Sequence, residues 1–171
     1  MLPLPRGEEG GGEGELKVII LYRFREQPNL SNARSKARLS AVQALYQWQM
    51  AGESISEIHN QFLVEREMAK VDLEYFKELL YGIAEHLDEI DEKIKPFIDR
   101  DINSVDPVER AILRMGTFEL MFRPDVPYRV VINESLEAAK MFGAEQGHRY
   151  VNGVLDKVAQ QTRQHEVKRP R

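Results

Sequence analysis

From Ser35 onward, apolar residues return every three or four positions, the spacing of helices that bury one face. In the first such stretch Ala41, Val42, Leu45 and Trp48 share a face, and Ala51-Gly52 closes the helix. A second opens on Ser54-Ile-Ser-Glu57, a capping box in which the serine oxygen and the glutamate carboxylate each accept from a backbone N–H, with Ile55, Ile58 and Phe62 as its stripe. The third is predicted as one long helix from about Asp72 to Lys95. Phe76, Leu79, Leu80, Ile83, Leu87, Ile90 and Ile94 lie on one face, and Pro96 stops it. A fourth begins at Asp106-Pro107-Val-Glu109, where aspartate caps, proline occupies the first turn and glutamate meets the helix dipole. Its apolar positions run through Ile112, Met115, Leu120 and Phe122 to Arg123-Pro124. A fifth is expected over about Val131 to Phe142, stopping at Gly143, and a sixth from near Glu145 with Val151, Val154, Leu155 and Val158 buried. Asn133-Glu134 reads as a helix start. Gly147 and Gly153 each cost about 1 kcal/mol inside a helix relative to alanine, so a close neighbour is expected against both.

Residues 1–30 break this pattern. MLPLPRGEEGGGEGE is glycine and glutamate with two prolines, a composition that buries too little apolar surface to offset its ordering entropy. The KVIILYRFR run that follows is strand-like but has no second strand-like segment to pair with. Residues 1–30 are therefore expected to be a disordered extension, 31–164 the folded domain, and 165–171 a flexible tail.

Composition narrows the function. With 171 residues, 42% apolar and 30% charged, the chain has material for one packed core, which excludes a multidomain enzyme. It has no cysteine, hence no disulfide, thiolate metal site or cysteine nucleophile. No segment has the length of a membrane span, and the start does not read as a secretory signal, so a cytoplasmic protein is expected. There is no GxSxG, HExxH or phosphate-binding glycine loop, and the four histidines are scattered. Asp88 and Glu92, one helical turn apart, read as a wet helix face rather than a metal site. No catalysis and no cofactor are expected.

Charge is segregated. Residues 51–110 carry 16 acidic side chains against 7 basic ones, whereas residues 31–50 carry Arg34, Lys36 and Arg38 and no acid. Three cations opening a helix can meet phosphates, or can simply solubilise the helix end; Tyr46 and Trp48 follow on the same helix, Trp48 on its apolar stripe.

Three blocks carry a family resemblance. They are Arg38-Leu-Ser-Ala-Val-Gln-Ala-Leu-Tyr46-Gln-Trp48-Gln, Asp125-Val-Pro-Tyr-Arg-Val-Val-Ile-Asn133-Glu134, and Phe142-Gly-Ala-Glu with Tyr150-Val-Asn152-Gly153-Val-Leu-Asp156-Lys157. In that order, over about residues 31–164, the chain resembles the bacterial transcription antitermination factor NusB family. The resemblance implies an all-α protein, a NusB-like helical bundle of two three-helix subdomains. It also implies a non-enzymatic role: binding boxA RNA of ribosomal RNA leader transcripts together with the ribosomal protein NusE, in the complex that helps RNA polymerase resist termination. Carried over by position, Arg34, Lys36 and Arg38 would touch RNA phosphates. Phe142 and Tyr150 would lie near the RNA, with Gln146 between them tuning affinity. Tyr46 and Glu109 would face NusE. The alternative is a helical protein-interaction or dimerisation module without RNA binding, and a homodimer is left open.

Overall fold

The computed structural model describes residues 32–142 and 146–169, and every regular element among them is helical. The expectations for residues 1–30 and for a helix stop at Gly143 lie outside the described residues.

Local chemistry starts each helix. Helix α1 (Ala33–Ala51) is capped by Asn32, whose side chain accepts the Arg34 N–H at 2.9 Å. It ends at Gly52, whose φ of 68° lies in the left-handed region that favours glycine. Helix α2 (Ile55–Glu65) has both halves of the capping box, Glu57 N–H to Ser54 Oγ at 3.3 Å and Ser54 N–H to Glu57 Oε2 at 3.0 Å. Helix α5 (Pro107–Phe122) starts where Asp106 Oδ1 accepts the N–H groups of Val108 and Glu109.

The long third helix is not continuous. It is broken at His86 (φ −106°, ψ 23°) into α3 (Leu73–Glu85) and α4 (Leu87–Ile94), with Pro96 in a following 3-10 turn, Lys95–Phe97. The apolar stripe runs through the break, which is why periodicity alone reads one helix. At the break the His86 ring stacks on Phe122 of α5, centroids 4.3 Å apart. One turn earlier, a Cβ on Gly82 would lie 2.5 Å from the Phe118 ring, so glycine here admits an aromatic neighbour. Overpacking in Gly82→Ala is accordingly expected to cost about 1–3 kcal/mol against the ~1 kcal/mol that alanine gains in helix propensity, a net loss of up to about 2 kcal/mol. Urea unfolding checks this; a net gain would mean that Phe118 moves aside freely.

Helix α6 (Tyr128–Phe142) begins three residues before the expected start, because the Pro127 carbonyl accepts the N–H groups of Val130 and Val131. Asn133-Glu134 is therefore mid-helix. Helix α7 (Gly147–Thr162) is followed by a short α8 (Gln164–Val167) where a flexible tail is expected. That segment is tied down: Glu166 accepts the Tyr128 N–H and an Arg163 N–H, each at 2.8 Å. Arg163 also donates to the carbonyls of Glu119 and Leu120 in the last turn of α5 and of Arg123 and Val126 in the connection that follows, which ties the end of α7 to the end of α5. Of the two glycines expected inside this helix, Gly147 instead opens it and has its close neighbour, with Glu109 Oε1 2.6 Å from where a Cβ would lie. Gly153 has nothing within 4 Å, so the expected tight contact there is absent.

Helices α1, α2 and α3 pack on one another, as do α5, α6 and α7, giving the two three-helix units expected; α4 lies against α5. The units join because α5 also packs on α1 and α3, which leaves nearly all of α5 buried. Three charged residues are buried on it, Arg110, Arg114 and Glu119, and each requires a polar partner.

Candidate nucleic-acid interface

The start of α1 divides into a buried and an open part. Arg38 is 2% exposed and Glu119 of α5 is 0% exposed. The Arg38 Nε donates to both Glu119 oxygens, at 2.9 and 3.1 Å, and Nη2 donates to Oε2 at 2.9 Å. The Tyr75 hydroxyl donates to the same Oε2 at 2.6 Å, and Glu134 of α6 lies 3.8 Å from Arg38 Nη1. Burial acts to lower the Arg38 pKa; the hydrogen bonds and charge of Glu119, with Tyr75 and Glu134 behind them, more than reverse it. Burial, and then Glu119, pushes the Tyr75 hydroxyl up, so it stays a donor. This corrects one expectation: Arg38 faces inward and clamps both units through α5, and has no side chain to offer a phosphate.

Arg34 and Lys36 differ. Both are half-buried, and neither forms an ion pair among the described residues. The Arg34 guanidinium lies over the Tyr75 ring at 4.4 Å, and Arg123 approaches the same ring at 4.9 Å. Sequence reading passed over Arg123 as a helix end, but its charge is already met by Glu78 and by Asp125 at 2.9 Å. The hydrogen bond from Arg123 holds the Asp125 carboxyl down at about 2. Ser35 is also inward, donating to Glu134 at 2.8 Å. Arg34 and Lys36 thus remain as the cations of this helix start that are open to an external anion.

A second group forms where α5 begins and α7 begins. Glu109 lies against Gly147, with exposed Gln146 beside it in the chain. Tyr150 is half-buried one turn further along α7, with the Arg100 guanidinium 5.5 Å from its ring centre. Its hydroxyl is buried and has no hydrogen-bond partner among the described residues. Burial raises its pKa, with Asp99 and Glu109 adding to the rise and Arg100 opposing it. Burial, then Asp106, likewise raises the Glu109 carboxyl. Gln146 and Tyr150, carried over as RNA residues, and Glu109, carried over as a partner residue, therefore share one edge.

Two carried-over positions are core instead. Phe142 is 5% exposed and Tyr46 is 4% exposed, each on the apolar face of its helix, so neither presents a ring to RNA or to a partner in this structure. Arg38 carries the same lesson in its spacing, since it precedes Ala41, Val42 and Leu45 on the buried stripe of α1. Glu119 is likewise seven residues after Ile112 on the stripe of α5, and a carboxylate on a buried stripe signals a cation partner. Among the described residues no group of three or more His, Asp or Glu side chains is placed to hold a metal, and no helix is long and apolar enough to cross a membrane.

The geometry is that of an all-helical protein of two interlocked three-helix units, with open cations at one helix start and a mixed polar edge at another. A model of the NusB family matches residues 35–160, and the chain belongs to that family. The transcription antitermination protein NusB of Nitrosococcus oceani is 58% identical over 134 residues, spanning 78% of this chain and 90% of that protein. Its counterpart in Alcanivorax borkumensis is 53% identical over 146 residues, 84% of this chain and 97% of that one. Among solved structures, T. maritima NusB superposes with a TM-score of 0.66 at 34% identity, covering 74% of this chain and 90% of that chain. A structure of antitermination factors NusB and NusE in complex with double-stranded RNA gives a TM-score of 0.63 at 27% identity, covering 81% of this chain and 98% of that chain.

Proposed function

We propose that this protein is a cytoplasmic, non-catalytic transcription antitermination factor that binds boxA RNA of ribosomal RNA leader transcripts together with NusE, within the antitermination complex of RNA polymerase. Family membership supports the role. The observation that carries RNA binding by this chain is the pair Arg34 and Lys36, cations at the opening of α1 that form no ion pair among the described residues. Phosphate contacts of this kind position RNA without reading sequence. Tyr150 and Gln146 are the groups proposed to contribute base contacts, the ring by stacking and the amide by hydrogen bonding.

The test is an electrophoretic mobility assay with boxA and scrambled RNA, with and without NusE. A shift that favours boxA and is strengthened by NusE is expected; no shift in either lane favours an interaction module without RNA. Glu109 is proposed to face NusE. Glu109→Ala is expected to weaken NusE binding in calorimetric titration by about tenfold, the loss of one charge-assisted hydrogen bond of ~1.5 kcal/mol, with a shift by RNA alone nearly unchanged. An unchanged NusE affinity would leave Glu109 as a helix-start acid packed on Gly147.

A further inference from the structure

The first half of α5 borders a pocket that the RNA reading does not use. Trp48 and Gln49 of α1, Leu87 at the start of α4, Asn103 in the 3-10 turn Ile102–Ser104, and Arg110 and Arg114 of α5 line a cavity of about 220 Å³. Both arginines are more than nine-tenths buried, at 8% and 6% exposed. Arg114 is fully engaged: Nε and Nη2 donate to the two oxygens of Asp91, each at 2.9 Å, and Nη1 donates to Gln49 Oε1 at 2.9 Å.

Arg110 is not. Its Nη1 donates to the Asn103 carbonyl at 3.1 Å, but its Nε is buried without any hydrogen-bond partner, and no carboxylate lies within ion-pair distance of it among the described residues. The two nearby acids are committed elsewhere. Asp91 is held by Arg114, and Asp106 Oδ1 caps the N–H groups of Val108 and Glu109. Burial, and then the like charge of Arg114, lowers the Arg110 pKa, against the pull of Asp91 and Asp106. A guanidinium that lines an open pocket and has no carboxylate partner among the described residues is complementary to an oxyanion.

We propose that this pocket receives one carboxylate, from an aspartate or glutamate side chain of a protein partner. The guanidinium fork meets the carboxylate, while Trp48 and Leu87 flank its methylene stem. The cavity suits one short side chain, being smaller than the ~300 Å³ at which small-molecule sites begin. Charge selects against a nucleic acid. Residues 51–110, which supply Leu87, Asn103 and Arg110, carry 16 acids against 7 bases and repel a polyanion, whereas a single carboxylate meets the local cation. The assignment does not depend on RNA binding.

Trp48 is the only tryptophan of the chain and lines the pocket, so its fluorescence reports occupancy. The full chain is titrated at constant ionic strength with acetyl-aspartate amide, acetyl-asparagine amide and inorganic phosphate, and the Arg110 Nε–H resonance is followed by NMR. A saturable millimolar response to the aspartate compound is expected, together with a downfield shift of that resonance. The asparagine compound should give neither, and phosphate should bind more weakly. Arg110→Gln should abolish the fluorescence response while unfolding at a temperature no lower than the parent, since it removes an unpaired buried cation. The NMR signal of the parent tests the proposal without any variant. No saturable response, equal responses to the aspartate and asparagine compounds, tighter binding of phosphate, or a response that survives Arg110→Gln would each overturn it.

Discussion

Glu119→Ala is expected to destabilise the fold by about 3–5 kcal/mol, the cost of removing one member of a buried charge pair. Glu119 accepts three hydrogen bonds from Arg38 and one from Tyr75, and it is fully buried. Without it the Arg38 guanidinium is left in the interior with only Glu134, 3.8 Å away and on its far side chain nitrogen. The damage reaches beyond one contact, because Arg38 lies on α1, Tyr75 on α3, Glu119 on α5 and Glu134 on α6, so both three-helix units meet at this carboxylate. Replacing both charges by apolar residues, Arg38→Met with Glu119→Leu, should recover much of the loss, since the desolvation cost of the pair disappears with its attraction. Urea unfolding of the two single variants and the double variant measures the coupling directly. A loss below about 1 kcal/mol for Glu119→Ala would mean that Arg38 reaches water on its own and behaves as an exposed cation.

The second large effect concerns the same helix start and separates its cations. Each phosphate neutralised on a single strand contributes about −0.7 to the slope of log affinity against log salt. Arg34→Ala with Lys36→Ala should therefore flatten the slope by roughly 1.4, and weaken boxA and scrambled RNA alike by about an order of magnitude at 0.1 M salt. Stability should change little, because neither side chain holds an ion pair among the described residues and Arg34 contributes its contact with the Tyr75 ring and a longer-range attraction to Asp125. Arg38→Met, tested in the Glu119→Leu background that restores the fold, should leave the slope unaltered. A flattening by about 0.7 in that background would return Arg38 to the phosphate-facing set; a parental slope in the Arg34 and Lys36 variant would remove those two from it.

Helix starts were legible because their chemistry is local. The Ser54–Glu57 capping box, the Asp106-Pro107 opening and the Ala51-Gly52 stop each depend on residues within one turn, and all three stand as expected. The break at His86 was not legible, since the apolar stripe from Phe76 to Ile94 continues through it and the ring that stacks there, Phe122, is on another helix. The cationic arm was half legible. Three basic residues are visible in the sequence, but the spacing that places Arg38 on the stripe of Ala41 and Leu45 was outweighed by its charge. Its partner is 81 residues away.

By itself, then, the sequence determined the helical class, most helix boundaries, the absence of cysteine chemistry and, through three motif blocks, the family. These follow from backbone hydrogen bonding and apolar periodicity, which act over one to two turns. Only the tertiary structure decided which charges are spent inside and which remain outside. Arg38, Tyr46 and Phe142 went into the core, Arg34 and Lys36 stayed open, Glu109 came to rest against the start of α7, and Arg110 was buried with a donor unused. A charged side chain is buried or exposed according to whether a partner from a distant element arrives to offset its desolvation, and that arrival is a property of helix packing that spacing along one helix does not encode.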